Sequence, residues 1–109
     1  MRTLKLMAFV TLAFSNLAFA ADGARPYNAK CASCHGKDGK GDTEMGKKRH
    51  AKDLSDAKVQ AGLQDADIVK SISEGIKETP DHGAMPAFKG KLSDDEVQAV
   101  AAYVRTLKK

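Results

Sequence analysis

The two cysteines of this chain stand in one pentapeptide, Cys31-Ala32-Ser33-Cys34-His35, and that spacing restricts the fold more than any other feature. Thiols three positions apart lie on one side of a helical turn, so both can bond a single flat group placed against it. Three chemistries use such a pair. A thioredoxin-like redox couple wants a strand–helix–strand setting, and the residues after position 20 show almost no strand-like alternation. A structural zinc site wants four ligands, and the remaining histidines, His50 and His82, have a spacing that fits no finger. The third is covalent attachment of haem c, for which Cys-x-x-Cys-His is the signature. In that reading the thiols add to the two vinyl groups at one porphyrin edge. His35 then projects beneath the ring, with an imidazole nitrogen reaching the iron.

The N-terminus agrees with the third reading, because haem c is attached outside the cytoplasm. Arg2 and Lys5 precede a run from Leu6 to Phe14 in which only Thr11 is polar, and Ala18-Phe19-Ala20 follows. That order is the pattern of a secretory signal peptide. The apolar run is too short for a membrane-spanning helix, which needs about 20 residues. The expectation is a leader over residues 1–20, cleaved after Ala20, and one exported domain over residues 21–109. The mature form is expected in the periplasm and not spanning the membrane.

The domain has little with which to build a core: after position 20 it holds fifteen Val, Ile, Leu, Met or Phe and no Trp. Domains this small usually need a disulfide, a metal or a cofactor as a staple. A buried prosthetic group supplies the missing core. Charge excludes another class of function. Of the 18 Lys and Arg, Arg2 and Lys5 leave with the leader, so 16 basic side chains face 14 acidic ones, a formal +2. Nucleic-acid binding normally shows a strongly basic face. The cluster Lys47-Lys48-Arg49 reads as a solvated loop, although it can attract an acidic partner.

The remainder reads as helices with polar connections. Residues 22–30 form a first helix running into the Cys-x-x-Cys-His motif. Residues 36–41, with three glycines, read as a turn; a phosphate loop would need a Gly-Lys-Ser/Thr ending and a preceding strand. Asp65 is the expected N-cap of a helix carrying Ile68 and Ile72, stopped by Gly75, with Lys70 and Glu74 able to pair on its exposed face. Leu54, Val59 and Leu63 lie just before it. Ser93-Asp94-Asp95-Glu96 is a capping box, with Leu92 and Val97 placed as a hydrophobic staple. Val97, Val100, Ala101, Val104 and Leu107 follow as one apolar stripe. Arg105, Lys108 and Lys109 complement the dipole at the C-terminal end.

With His35 on one face of the iron, four residues are candidates for the other: Met45, His50, His82 and Met85. Pro86 biases Met85 toward extended backbone, which suits a loop stretched across a haem face.

Three separated blocks carry a family resemblance: Gly23…Tyr27…Cys31-Ala32-Ser33-Cys34-His35-Gly36, then Met85-Pro86-Ala87-Phe88, then Leu92 through Leu107. Together they resemble the class I cytochromes c, particularly the short bacterial ones. The resemblance implies an all-α fold of three to five short helices around one covalently bound haem. Its first and last helices cross, with a glycine and an aromatic at the contact, here Gly23 with Tyr27 and Tyr103. It makes Met85 the distal iron ligand opposite His35, places Leu54 against the haem, and names Cys31, Cys34, His35 and Met85 as the cofactor-binding set.

The function implied is a monomeric single-electron carrier moving between redox protein partners. It would link respiratory or dehydrogenase complexes to an acceptor such as a terminal oxidase. Filling both axial positions leaves no site for oxygen or peroxide, so no enzyme activity is expected. The competing classes are a haem peroxidase or sensor with a displaceable ligand, and a dedicated subunit held by one dehydrogenase. Two departures from better-known members matter. Without a Trp for a haem propionate, Arg49, His50 and Lys52 are the candidates. With no proline soon after the motif, the carbonyl that orients His35 is unassigned.

Overall fold

The computed structural model describes residue 20 and residues 22–109. The expected leader therefore lies, apart from Ala20, outside the described residues. Six helical segments follow in order: α1 (22–30), α2 (Ala32–His35), α3 (Glu44–Arg49), α4 (Ala57–Ala61), α5 (Asp65–Glu74) and α6 (Asp94–Thr106). The first two are one run loosened at Cys31, whose amide donates to the Tyr27 carbonyl at 2.8 Å and whose carbonyl accepts from His35 N at 2.9 Å. Among the described residues no strand forms, only three isolated bridge pairs.

The helix ends follow from local chemistry. At α6, Glu96 N donates to Ser93 Oγ at 3.1 Å and Ser93 N donates to Glu96 Oε1 at 2.9 Å, a closed capping box. The short helices α3 and α4, which the sequence analysis did not separate from the connections, start on Thr43 and Asp56. Their side chains accept from Gly46 N and Lys58 N. At α5 the cap is Gln64, whose amide donates to Asp67 at 3.1 Å. Asp65, expected as the cap, is the first helical residue instead. Its carboxylate is drawn across the fold to Arg105, at 2.8 Å from Nε. That is the ion pair found among the described residues, and the expected Lys70–Glu74 pair does not form. An exposed pair of long side chains gains only tenths of a kcal/mol, too little to hold one geometry.

Val97, Val100, Ala101 and Val104 of α6 are buried, as the stripe predicts, and they meet Ile68 and Ile72 of α5, Tyr27 of α1, Leu54, Phe88 and Leu92 in one core. Ala99 lies off that stripe yet is 4% exposed, because α1 crosses α6 there. A Cβ on Gly23 would collide with the Ala99 carbonyl and stand 2.9 Å from Tyr103 Cβ. Only glycine allows backbones this close. Tyr103 then leans over α1, its ring centroid 5.2 Å from that of Tyr27 at 51°, a tilted arrangement favoured by ring quadrupoles.

A polar hub ties α4 and the start of α5 to α6. Gln60, 4% exposed, donates through Nε2 to the carbonyls of Leu54 and Val104. Arg105 donates to Gln60 O and Oε1 at 2.9 Å each and to Leu63 O at 2.6 Å. No buried side-chain nitrogen or oxygen among the described residues lacks a partner.

Candidate haem site

The Cys-x-x-Cys-His turn is held from two sides. On one, the Tyr27 hydroxyl donates to the Gly36 carbonyl at 2.7 Å. On the other, α3 docks against α2 through its N-cap: Thr43 Oγ1 lies 2.8 Å from the carbonyls of both Ser33 and Cys34 and accepts from Gly46 N at 2.9 Å. Gly46 is buried in this contact, and a Cβ there would strike the Cys34 and Gly41 carbonyls. The glycine-rich segment then turns, with Gly41 N donating to the His35 carbonyl at 2.8 Å and Leu54 N to Gly39 O at 2.7 Å.

His50, in the left-handed conformation at φ 55°, caps α3, and the chain continues to Lys52. The Lys52 carbonyl lies 3.4 Å from His35 Nδ1. It is the backbone carbonyl that the structure places beside this ring, where the sequence left the partner unassigned. With Nδ1–H directed to it, the Nε2 lone pair is free, which is the second-shell arrangement of a metal-binding histidine. Burial lowers the His35 pKa, the Lys52 contact opposing it, which favours the neutral ring.

The two thiols are unpaired, Cys31 buried and Cys34 half-buried. Burial, with the neighbouring Cys34 next, pushes the Cys31 thiol up to about 11. A nucleophilic redox cysteine shows the opposite shift, and among the described residues the pair has no strand–helix–strand setting. Among the described residues no three His, Cys, Asp or Glu side chains converge as a metal-binding cluster, and the zinc reading lacks its ligands.

Met85 sits at the other end of the sequence but in the same place. Its amide and carbonyl exchange bonds of 2.9 Å with Ile76. The strand-like stretch beyond it is fixed by Phe88 N to Ile72 O at 2.9 Å and Lys89 N to Ser73 O at 3.1 Å. The side chain packs on the core, half-buried.

Cys31, Cys34, His35 and Met85 all line one cavity of about 500 Å³, within the roughly 300–1,000 Å³ of ligand pockets. Leu54, Ile68, Ile72 and Phe88 give it apolar walls, and Met45, His50 and His82 line it too. Its formal charges are Lys30, Arg49 and Lys52 against Asp81, a positive balance that matches a planar apolar group bearing two carboxylates. The donor set, the dry walls and the charge all fit haem c. Thr43, Gly46 and the Lys52 carbonyl were missed in the sequence, whereas Arg49, named there as a propionate candidate, does line the cavity. Thr43 alone had a local signal, as an N-cap residue ahead of a helix.

Residues 18–104 match the family described as cytochrome c oxidase, cbb3-type, subunit III. Cytochrome c6 of Leptolyngbya boryana is 42% identical over 87 residues, 78% of this chain and 88% of that protein. Cytochrome c6 of a Nostoc species is 38% identical over 102 residues, 90% of this chain and 82% of that protein. The cbb3-type cytochrome c oxidase subunit FixP of Bradyrhizobium diazoefficiens is 36% identical over 88 residues, and the chain spans only 27% of its length. Among solved structures, the KustC0563 c-type cytochrome superposes with a TM-score of 0.67 at 37% identity, covering 80% of this chain and 98% of that one.

An all-α shell around one apolar cavity, with Cys-x-x-Cys-His in its wall, defines a class I cytochrome c domain. The chain belongs to the c-type cytochrome family, as a haem c electron carrier whose cofactor is covalently bound haem c.

Proposed function

We propose that the protein is a periplasmic one-electron carrier in which Cys31 and Cys34 hold the haem through thioether bonds and His35 and Met85 are its axial ligands. The observation that carries this reading is that these four side chains, separated by up to 54 positions in sequence, line one cavity. Of the other candidates for the distal position, Met45 is 40% exposed and His50 is exposed on its tight turn. His82 has Nδ1 3.0 Å from its neighbour's carbonyl, Gly83 O. Met85 packs on the core and is paired through its backbone to Ile76, whereas the paired bonds of His82 run to Thr79 within the same loop.

Bound there, haem c supplies a one-electron Fe(III)/Fe(II) couple. The chain's own residues set its properties. Lys52 O, 3.4 Å from His35 Nδ1, would accept the Nδ1–H and leave Nε2 for the iron. The Met85 thioether is a soft, neutral donor, which favours the reduced state and raises the potential. Leu54, Ile68, Ile72 and Phe88 keep water from the ring. Lys52, His50 and Arg49 are the groups available to the propionates. With His35 and Met85 both holding the iron, no coordination site would be left for a substrate, which supports the reading as a carrier and not as an enzyme.

Residues 1–20, read as a cleaved leader, support export, and no described helix is long and apolar enough to cross a membrane. The carrier then moves as a monomer between a donor complex and an acceptor such as a terminal oxidase.

The test is an absorption spectrum of protein exported with a haem-attachment system. Sharp reduced-state bands and colour that survives acid–acetone extraction are expected, with a weak far-red sulfur-to-iron band in the oxidised form. A five-coordinate high-spin spectrum would instead move the protein to the peroxidase or sensor class. No bound haem would overturn the proposal.

A further inference from the structure

Residues 77–84 form the loop that leads into Met85. Among the described residues, two hydrogen bonds join this loop to other parts of the chain, and both end on Arg49. Gly83 N donates to the Arg49 carbonyl at 2.8 Å, and Arg49 Nη1 donates to the carbonyl of Ala84 at 3.0 Å. Ala84 is the residue immediately before Met85. The other bonds of the loop are internal: Thr79 and His82 exchange backbone bonds at 3.0 and 3.3 Å, and Asp81 N donates to Thr79 Oγ1 at 3.2 Å. The stem of Arg49 is also the surface on which the loop rests. A Cβ at Gly83 would stand 3.1 Å from Arg49 Cα and Cβ and 3.2 Å from Cγ.

Arg49 is the last residue of α3, and α3 is pinned to the carbonyls of Ser33 and Cys34 through Thr43. One continuous mechanical connection therefore runs from the Cys-x-x-Cys-His turn, through α3 and Arg49, to the backbone beside Met85. The bridge between Ile76 and Met85 closes the base of the loop just beyond the end of α5.

We infer that Arg49 is a positioning residue that holds the Met85 loop closed over the cavity and so governs how readily Met85 leaves the iron. The inference rests on the reading of Met85 as distal ligand. Without the guanidinium donor, Ala84 O turns to water and the near side of the loop is held by one backbone bond. Local opening becomes more frequent, and an external ligand binds only while Met85 is away, so its binding rate reports the open population.

The experiment compares oxidised holoprotein of wild type, Arg49→Met, Arg49→Lys and Met85→Ala, with imidazole as the entering ligand in stopped flow. Arg49→Met keeps the stem and the Arg49 carbonyl but loses the donor. It is expected to bind imidazole about five- to tenfold faster at sub-saturating imidazole, where the rate scales with the open population, the size of one partly exposed charge-assisted hydrogen bond. On warming, its far-red band is expected to fade below the temperature at which the helices melt, whereas a purely structural role moves both together. Arg49→Lys, which retains a donor for Ala84, is expected to restore most of the wild-type rate. A wild-type rate in Arg49→Met, or an Arg49→Lys variant as labile as Arg49→Met, overturns the inference. Met85→Ala separates the two readings. Loss of its far-red band establishes the ligand independently of Arg49, and retention of that band defeats the ligand assignment and this inference with it.

Discussion

The hydroxyl of Tyr27 donates to the carbonyl of Gly36 at 2.7 Å, and so clasps from outside the stretch 28–35 that carries Cys31, Cys34 and His35. Tyr27 is fully buried, so Tyr27→Phe leaves the Gly36 carbonyl with only the Gly39 amide, 3.1 Å away, as donor. A loss of about 1–2 kcal/mol in denaturant titrations is expected.

The same contact sets a pH dependence. Burial first, then the neighbouring Cys31, Tyr103 and Asp38, push the Tyr27 pKa above the usual tyrosine range. The unfolded chain, ionising near pH 10, releases its proton first as pH rises. The Tyr27 contribution to stability is therefore complete below about pH 10 and is lost progressively above it. With Cys31 tied up as the proposed thioether, it would not add to the effect in the holoprotein. Thermal melts between pH 8 and 11 are expected to show an alkaline decline that Tyr27→Phe reduces.

At the helix crossing, Gly23→Ala places a methyl group against the Ala99 carbonyl and beside Tyr103 Cβ. Neither is the free end of a flexible side chain, so the helices must separate. The expected cost is about 2 kcal/mol, or on the order of 10 °C in Tm for a domain of this size. Calorimetry of the holoprotein checks it; an unchanged Tm would show that α1 and α6 do not cross at Gly23.

Arg105 and Asp65 form an ion pair, but their partners differ in what they bury. The Asp65 side chain is 85% exposed, so Asp65→Ala should cost only a few tenths of a kcal/mol. Arg105→Met strips donors from Gln60 and from the Leu63 carbonyl, and a loss of about 2 kcal/mol is expected. Equal effects in chemical denaturation would contradict this division.

Met85→Ala removes the thioether while leaving the Ile76 bridge, which uses only backbone atoms. The oxidised far-red band is expected to vanish, the reduction potential to fall, and cyanide to bind quickly at neutral pH. Spectroelectrochemistry reads all but the last, which stopped flow supplies.

Much of this fold was legible in the chain because the signals are local. The Ser93–Glu96 box, the α6 stripe and the pair Ile68 and Ile72 each arise from neighbours a few positions apart, whose spacing matches the helical turn. The Cys31–His35 motif is legible for the same reason, since the chemistry itself demands two thiols one turn apart. Met85 could be singled out beside Pro86, but the residues alone left Met45, His50 and His82 as rivals.

Tertiary structure decided what depends on approach between distant segments. Ala99 breaks the stripe and is buried only because Gly23 brings α1 against it. Asp65 left its expected capping role because Arg105, forty residues on, competes for its carboxylate. The partner of His35 is a backbone carbonyl, that of Lys52, and every residue has one, so no side chain marks it in the sequence. Arg49, read from sequence as part of a charged loop, became the tether of the Met85 loop only once the end of α3 lay beside Ala84. Side-chain spacing is written in the chain, whereas which backbone groups meet is set only when the core closes and each buried donor must find an acceptor.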